Sequence, residues 1–258
     1  MLRFKSLGSG SSGNATVVEA RSGSQVTRLL IDCGFGLKHL DARLGRAGLA
    51  ASQFDAIFIT HEHGDHIGCA RQLALRERIP VWMSQGTHAA LGPCDFKGLF
   101  NTARDAQAID LGGLQIMPFT VPHDAREPLQ LTCSDGASKL GVLTDLGHST
   151  AHVLAHLGHC QALLLECNHD PELLAASSYP AFLKKRVGGL HGHLANADAA
   201  AIALAVQHAG LNRVVAAHLS EQNNRPELVR AALAAALGRA APEIDTAHAI
   251  DGTPWIEV

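Results

Sequence analysis

Four short apolar runs in this sequence lead directly into a histidine or an aspartate. They are Ala56–Thr60 before His61, Leu114–Val121 before Pro122-His123, Leu140–Leu143 before Thr144-Asp145, and Val214–Ala217 before His218. Short apolar runs bounded by polar residues are typical of buried strands. We therefore predict a fold whose core contains many strands and whose polar site lies where several of them end.

Strands and helices alternate along the whole chain. The predicted strands are Arg3–Leu7, Ala15–Ala20, Arg28–Asp32, Ala56–Thr60, Val81–Ser84, Leu114–Val121, Leu129–Cys133, Leu140–Asp145, Ala162–Glu166, Arg213–Ala217 and one near Pro254–Val258. The predicted helices are Leu37–Arg46, Cys69–Arg78, Thr87–Leu91, Thr150–Leu157, Pro180–Val187, Asn196–His208 and Pro226–Gly238, with caps at Ser149 or Thr150 and at Asn196. Apolar strands flanked by amphipathic helices predict an α/β fold with two sheets packed face to face and helices outside. No Pro-rich or charge-rich linker divides the chain, so we expect a single domain over residues 1–258.

The composition predicts a cytoplasmic protein with a full hydrophobic core. Of 258 residues, 47% are hydrophobic, yet apolar stretches such as Ala199–Val206 are far shorter than the roughly 20 residues that span a bilayer. Met1–Leu7 mixes Arg3 and Lys5 with single apolar residues, unlike a signal peptide. The six cysteines are scattered and predict reduced thiols. A net charge of −3 argues against a generally basic nucleic-acid-binding surface but permits a local basic patch.

The segment that follows Ile57–Thr60 predicts a metal site. It reads His61-Glu-His63-Gly-Asp65-His66 in a chain with sixteen histidines. In an extended segment, alternate residues share a side, so His61 and His63 point the same way. A turn at Gly64 into a helix then brings Asp65 and His66 back to the same point. A surface loop that is merely rich in histidine is the alternative, but this spacing favours metal binding.

Three further strand ends supply the remaining ligands. We assign His61, His63 and His123 to one metal ion, assign Asp65, His66 and His218 to a second, and place Asp145 between them. Catalytic zinc sites use three protein ligands plus water, and two-metal sites share bridging groups. We expect two divalent ions, and a mixed shell of histidine and carboxylate permits zinc or manganese.

The metal motif resembles that of the metallo-β-lactamase fold superfamily of hydrolases. Flanking motifs resemble its bacterial YycJ/WalJ branch: Leu7-Gly-Ser-Gly-Ser-Ser-Gly-Asn14, Leu30-Ile-Asp-Cys-Gly34, Pro122-His-Asp-Ala125, Leu165-Glu-Cys-Asn-His-Asp170, Gly192-His-Leu-Ala-Asn196 and His218-Leu-Ser-Glu-Gln-Asn-Asn224. Cys69 and Ala195 depart from the Gly and Ser expected there, and neither is a proposed ligand. The resemblance implies a four-layer αββα sandwich and a 5′ to 3′ exonuclease acting on double-stranded DNA.

The residues permit that chemistry. We expect a hydroxide between the metals to attack phosphorus, with Asp65 holding it as well as binding metal. His193 is our candidate for the general acid, by similarity to a histidine near the second metal in related transfer-RNA 3′-processing enzymes. Helix capping beside Asn196 is the alternative role of His193, and His169 is the alternative acid.

Substrate contacts are predicted outside the metal ligands. Ser9, Ser12 and Asn14, in the Gly-Ser-rich turn, suit a phosphate site and equally suit a plain hairpin turn. His193 is expected to contact the substrate as well. The basic run Lys184–Arg186 suits either backbone binding or a solvated helix face. With only eleven aromatic residues for base stacking, we expect sequence-independent binding of DNA, with no membrane and no obligate protein partner.

The ligand set leaves the substrate open. A small-molecule phosphodiesterase or a glyoxalase II-like thioesterase would use the same seven ligands, because loops choose the substrate. A non-catalytic metal-binding scaffold is a remoter alternative. Asp32, which ends its strand, is expected to orient a histidine rather than bind metal.

Overall fold

Two seven-stranded sheets form the centre of the molecule in the computed structural model, which describes residues 1–258. The strands are β1 Leu2–Gly8, β2 Ala15–Ser22, β3 Gln25–Ile31, β4 Ala56–Phe58, β5 Val81–Met83, β6 Phe100–Thr102, β7 Ile109–Asp110, β8 Gln115–Thr120, β9 Leu129–Ser134, β10 Lys139–Leu143, β11 Ala162–Glu166, β12 Arg213–Ala217, β13 Asp245–Thr246 and β14 Ile256–Glu257. The order in the first sheet is β14-β1-β2-β3-β4-β5-β6, and in the second it is β13-β12-β11-β10-β9-β8-β7.

Nine helices accompany the sheets. They are α1 Leu37–Arg46, α2 Gly64–Ile67, α3 Ala70–Glu77, α4 Gln85–Ala90, α5 Ala151–Leu157, α6 Pro171–Ala176, α7 Ala181–Val187, α8 Asn196–Ala205 and α9 Pro226–Leu237. Two short 3-10 turns occur at Ala51–Gln53 and Ala241–Glu243. None of the nine helices combines the length and hydropathy that crossing a lipid bilayer requires.

Side-chain alternation along the strands produces four layers. In β4, Phe58 packs between the two sheets while Ile57 packs towards the outer helices. In β11, Leu164 faces the other sheet while Leu163 faces the helices on the opposite side. Successive strand residues point to opposite faces, so a strand that is apolar throughout must be covered on both. The predicted αββα sandwich is confirmed.

The structure corrects several sequence-based boundaries. The strands β6, β7 and β13 were missed because two or three residues give no periodic signal, and the six-residue helix α6 was missed as well. The predicted cap at Thr150 is confirmed, since its hydroxyl accepts a hydrogen bond from the Val153 N–H. The predicted cap at Asn196 is wrong: Ala195 precedes the helix, and the Asn196 side chain instead pairs with Asn224.

One buried carboxylate ties three strands of the first sheet together. Glu19 on β2 lies opposite Arg3 on β1 and Arg28 on β3, and both guanidinium groups contact its carboxylate at 2.7 Å. Arg21 adds a contact at 2.5 Å. Burial alone would raise the pKa of Glu19, but hydrogen bonds from these arginines lower it below its usual value. The ionised carboxylate is therefore part of the folded sheet.

Candidate metal centre

Strand direction collects the polar side chains at one edge of the sandwich. β3 and β4 are parallel in the first sheet, and β10, β11 and β12 are parallel in the second. Their carboxyl ends lead into Asp32, His61, Asp145, Glu166 and His218, respectively. Parallel strands align their carboxyl ends, and open α/β sheets place ligand sites there. The two sheets therefore contribute to one centre.

The His61–His66 segment is shaped by a close backbone approach. His63 precedes α2, and Asp65 and His66 lie within that short helix, as the sequence predicted from the turn at Gly64. The Asp65 carbonyl packs so tightly against Gly34 that a Cβ at Gly34 would lie 1.7 Å from its oxygen. The Asn14 N–H donates to the same carbonyl at 2.8 Å. The first turn of α2 is thus held by residues from two other loops.

Three histidine nitrogens form a first group. His61 Nε2 lies 3.0 Å from His63 Nδ1, which lies 3.3 Å from His123 Nε2. Nitrogens arranged tetrahedrally at about 2.0–2.1 Å from a zinc ion are about 3.3 Å apart. The three predicted ligands of one metal are therefore brought together at separations compatible with binding a common ion.

Asp65, His66 and His218 form a second group, whose ligand atoms all lie within 4.8 Å of one another. Asp65 Oδ2 is 3.6 Å from both His66 Nε2 and His218 Nε2. Asp145 lies between the groups: its Oδ2 is 2.9 Å from His66 Nε2, and its Oδ1 is 3.8 Å from His123 Nε2. The structure thus brings the seven side chains together around Asp145, and His61, His66 and Asp145 form a further group, so the division into two sets stays a prediction.

In four of the histidines, the Nδ1 atom, which points away from the centre, lies within hydrogen-bond distance of an oxygen atom. The Nδ1 atom of His61 lies 3.0 Å from Thr60 Oγ1, and that of His123 lies 3.0 Å from the Gly192 carbonyl oxygen. His66 Nδ1 is 2.7 Å from Asp32 Oδ2, and His218 Nδ1 is 3.1 Å from Glu166 Oε1. These acceptors favour a proton on Nδ1 and leave the Nε2 lone pair facing the centre. The expected role of Asp32 agrees with its contact.

Glu166 is the residue that sequence reasoning missed. Its buried carboxylate accepts hydrogen bonds from the Leu146 N–H at 2.8 Å and from His193 Nδ1 at 2.7 Å, in addition to His218. The available signal was a glutamate at the end of an otherwise apolar strand. That position suggests a buried charge with partners from other segments.

His193 and His169 occupy different environments. His193 Nδ1 faces Glu166 and lies 3.3 Å from Asp145 Oδ1, while its Nε2 has no protein partner. Burial lowers the pKa of His193, but the charge of Glu166 and the contact with Asp145 raise it well above the usual value. His169 contacts no ligand carboxylate, and its Nδ1 is buried without a partner. His193 is therefore the better placed candidate for an acid.

The buried polar atoms fit a cationic occupant. His218 Nε2 is buried without a hydrogen-bond partner, and the buried Asp145 Oδ2 has His66 Nε2 at 2.9 Å as its charged neighbour. Burial lowers the pKa of His66, but Asp145 and Asp32 raise it to about 10. Burial opposes the rise at His218 too, where Asp145 again helps to bring the pKa to about 10. Protons on these two histidines therefore supply the positive charge that the carboxylates require, and divalent ions with nitrogen and oxygen ligands would replace them.

The three residues of the Gly-Ser-rich turn that were predicted to contact substrate differ in their exposure to solvent. Ser9 and Asn14 are each only 4% exposed. Ser9 Oγ accepts a hydrogen bond from the His218 N–H at 2.8 Å, and the Asn14 amide lies 3.2 Å from His66 Nε2. Both side chains thus support the centre, whereas Ser12 is exposed. Contact of these residues with substrate stays a prediction.

Comparison with protein families gives one match along most of the chain. Residues 27–219 match the model described as the beta-lactamase superfamily domain. That span runs from β3 through His218 and includes all seven side chains of the centre.

Relatives with similar sequences carry a nuclease name. The exodeoxyribonuclease YycJ of Bacillus anthracis is 33% identical over 235 residues, covering 89% of this chain and 86% of that protein. The exodeoxyribonuclease WalJ of Streptococcus pneumoniae is 28% identical over 243 residues, covering 92% and 89%, respectively. The metallo-β-lactamase fold protein YhfI of Bacillus subtilis superposes with a TM-score of 0.75 at 16% identity over all of both chains, which supports the fold alone.

Proposed function

Because this chain belongs to the beta-lactamase superfamily domain family and is a metal-dependent hydrolase, we propose that it is an exodeoxyribonuclease that uses two divalent ions to cut double-stranded DNA from a 5′ end. The observation that carries the proposal is the convergence of two ligand groups around Asp145. The nuclease names of relatives aligned along nearly the whole chain support the substrate.

Seven side chains would hold the two ions. His61, His63 and His123 would hold one; Asp65, His66 and His218 would hold the other; and Asp145 would contact both. The chemistry that such ions supply is a lowered pKa of coordinated water, to about 7, and compensation of charge on phosphoryl oxygens. A mixed histidine and carboxylate shell accepts zinc or manganese.

We assign the interaction with the attacking water to Asp65 and protonation of the leaving group to His193. Asp65 is the partly exposed carboxylate of the centre, so it is placed to accept a hydrogen bond from the attacking water. His193 is partly exposed on the other side of Asp145, and its Nε2 is free to donate a proton to the departing sugar oxygen. Glu166 and Asp145 hold the positive charge of that imidazole. Water attack and leaving-group protonation are then assigned to separate residues.

A substrate panel tests the proposed function. Metal-reconstituted protein is incubated with end-labelled duplex DNA, RNA, a cyclic nucleotide and a thioester. We expect progressive loss of label from duplex DNA and little turnover of the others. Duplex DNA left unchanged would refute the nuclease proposal, and hydrolysis of the cyclic nucleotide or the thioester instead would identify the alternative. Two bound metals with no turnover of any substrate would indicate a scaffold.

A leaving-group experiment tests the acid. The His193→Ala variant should lose activity on native DNA but retain most of it on a substrate whose leaving group needs no proton. His169→Ala provides the comparison, because that histidine lines the same region without contacting Asp145 or Glu166. Equal losses of the His193 variant on both substrates would remove the acid role.

A further inference from the structure

A cavity of about 800 Å³ opens beside His193. Its walls come from the loop after β10, from α6 and α7, from the loop that joins α7 to α8, and from α8 itself. Small-molecule sites in proteins commonly have volumes of about 300–1,000 Å³. The cavity is therefore large enough for one or two nucleotides and too small for a duplex. We refer to it as the His169 cavity.

The His169 cavity is physically coupled to the metal centre. His193 lines the cavity while its Nδ1 contacts Glu166 and Asp145. The loop at Gly188–His193 forms another part of the wall, and its Gly192 carbonyl accepts the hydrogen bond from His123. A ligand in the cavity thus lies against the residue to which we assign protonation of the leaving group.

The lining suits an anion attached to an apolar group. Lys184 and Lys185 contribute two positive charges against one negative charge from Asp198. Lys185 is exposed and has no ion-pair partner. Leu174 and Leu190 add apolar surface. A phosphate near the lysines with a sugar and base along the apolar wall matches this distribution.

His169 adds a polar side chain to the cavity wall. The residue is 4% exposed and lines the cavity, and its Nδ1 is buried without a hydrogen-bond partner. A buried polar atom without a partner costs about 1–3 kcal/mol, so such atoms usually meet a ligand or water. The imidazole of His169 is therefore a polar part of the cavity wall, and its Nε2 lies on the side of the cavity-lining Gly188.

We propose that the His169 cavity binds the terminal 5′-phosphorylated nucleotide of the substrate strand, the part of the strand that departs on hydrolysis. This inference rests on the proposed nuclease function. The water oxygen forms a bond to phosphorus and the bond from phosphorus to the 3′ oxygen breaks. Asp65 accepts a proton of the water, and His193 gives a proton to the 3′ oxygen. The departing product is a nucleoside 5′-monophosphate with a 3′ hydroxyl, and the shortened strand begins with a new 5′ phosphate.

The proposal explains how cutting would be confined to strand ends. The departing nucleotide would lie in the cavity, whose volume matches one or two nucleotides. The lysines would recognise the 5′ phosphate that each cut regenerates, so successive cycles would meet the same kind of end. Restriction to ends then follows from recognition of the 5′ phosphate by the lysines on the leaving-group side.

The test combines binding with cleavage. Binding of deoxyadenosine 5′-monophosphate and of deoxyadenosine to metal-loaded protein is measured by calorimetry. Cleavage of duplexes that carry a 5′ phosphate or a 5′ hydroxyl is followed by product length and kcat/KM. The variant is the double substitution Lys184→Ala and Lys185→Ala, and the control is Lys38→Ala, an exposed lysine on α1 with no ion-pair partner.

We expect the monophosphate to bind more tightly than the nucleoside, and the double variant to weaken monophosphate binding by about tenfold or more. The preference for 5′-phosphorylated ends should fall by a similar factor in that variant, while Lys38→Ala resembles the unmodified protein. Absence of monophosphate binding, unchanged affinity in the double variant, or long internal products from active protein would overturn the cavity proposal. Failure of the nuclease function itself would be recognised separately, as intact duplexes regardless of end chemistry.

Discussion

Replacing Asp32 by Asn tests whether the carboxylate behind His66 controls metal binding. Asp32 is buried, and its backbone φ of 61° lies in the left-handed region, which asparagine tolerates better than most residues. The two carboxylate oxygens accept from different donors: Oδ1 from the Thr60 N–H at 2.9 Å and Oδ2 from His66 Nδ1 at 2.7 Å. An amide has only one oxygen, so one of these donors must face an NH₂ group.

Two separable effects follow from that loss. A buried donor left without its acceptor costs about 1–3 kcal/mol in the free energy of unfolding. In a chain of this size, each kcal/mol lowers Tm by about 2–4 °C. Loss of the carboxylate that orients a ligating histidine weakens metal affinity about 10–100-fold. Metal affinity and metal-free stability should therefore both fall in Asp32→Asn.

Competition with a chromophoric chelator measures the metal affinity, and thermal unfolding of metal-free protein measures the stability. Asp251→Asn is the control, because that carboxylate is 75% exposed. If Asp32→Asn were less stable but bound metal as tightly as the unmodified protein, Asp32 would only support the loop, and our explanation of the histidine orientation would be refuted.

Three further predictions concern stability and the shape of the centre. Glu19→Gln should lower the free energy of unfolding by about 3 kcal/mol at neutral pH, because it removes the buried partner of several arginines. Since the folded pKa of Glu19 is lowered, this contribution is present above the ordinary glutamate pKa of about 4.3 and is lost as pH falls through the folded value; unfolding curves that keep a constant difference into strong acid would contradict it. Gly34→Ala should abolish metal binding by displacing Asp65, whereas Gly36→Ala, whose Cβ would meet nothing within 4 Å, should bind metal normally in the same titration. Saturating zinc or manganese at 100 times Kd should stabilise the protein by about 2.7 kcal/mol, and a Tm that does not respond to chelator would argue against the site.

The sequence predicted the layers of the fold because a strand buried on both faces has apolar residues at consecutive positions. Residues such as Ile57 and Phe58 are both apolar, which a strand covered on one side does not require. The shortest strands are too short to show such a pattern. At β13, only two residues pair with β12, and that pairing depends on a neighbour about thirty residues away along the chain.

The candidate site was predicted to a similar extent and for a similar reason. The proposed ligands between His61 and His66 lie in one segment, so their convergence follows from local geometry. Glu166 was missed because its role depends on His193 and His218, which lie in other segments. The same limit applies to Asn14, whose contact with His66 across sequence-distant segments the sequence did not predict.

By itself, the sequence determined which strands are buried and which side chains end them, since both depend on residue type at short spacing. The tertiary structure decided how those ends meet. Parallel pairing brings Asp145, Glu166 and His218 to one edge of the second sheet, and packing of the sheets places that edge against His61–His66. The His169 cavity also exists only after α6, α7 and α8 have packed around it. Distances between atoms far apart in sequence are set by packing of the whole core, and no local pattern encodes them.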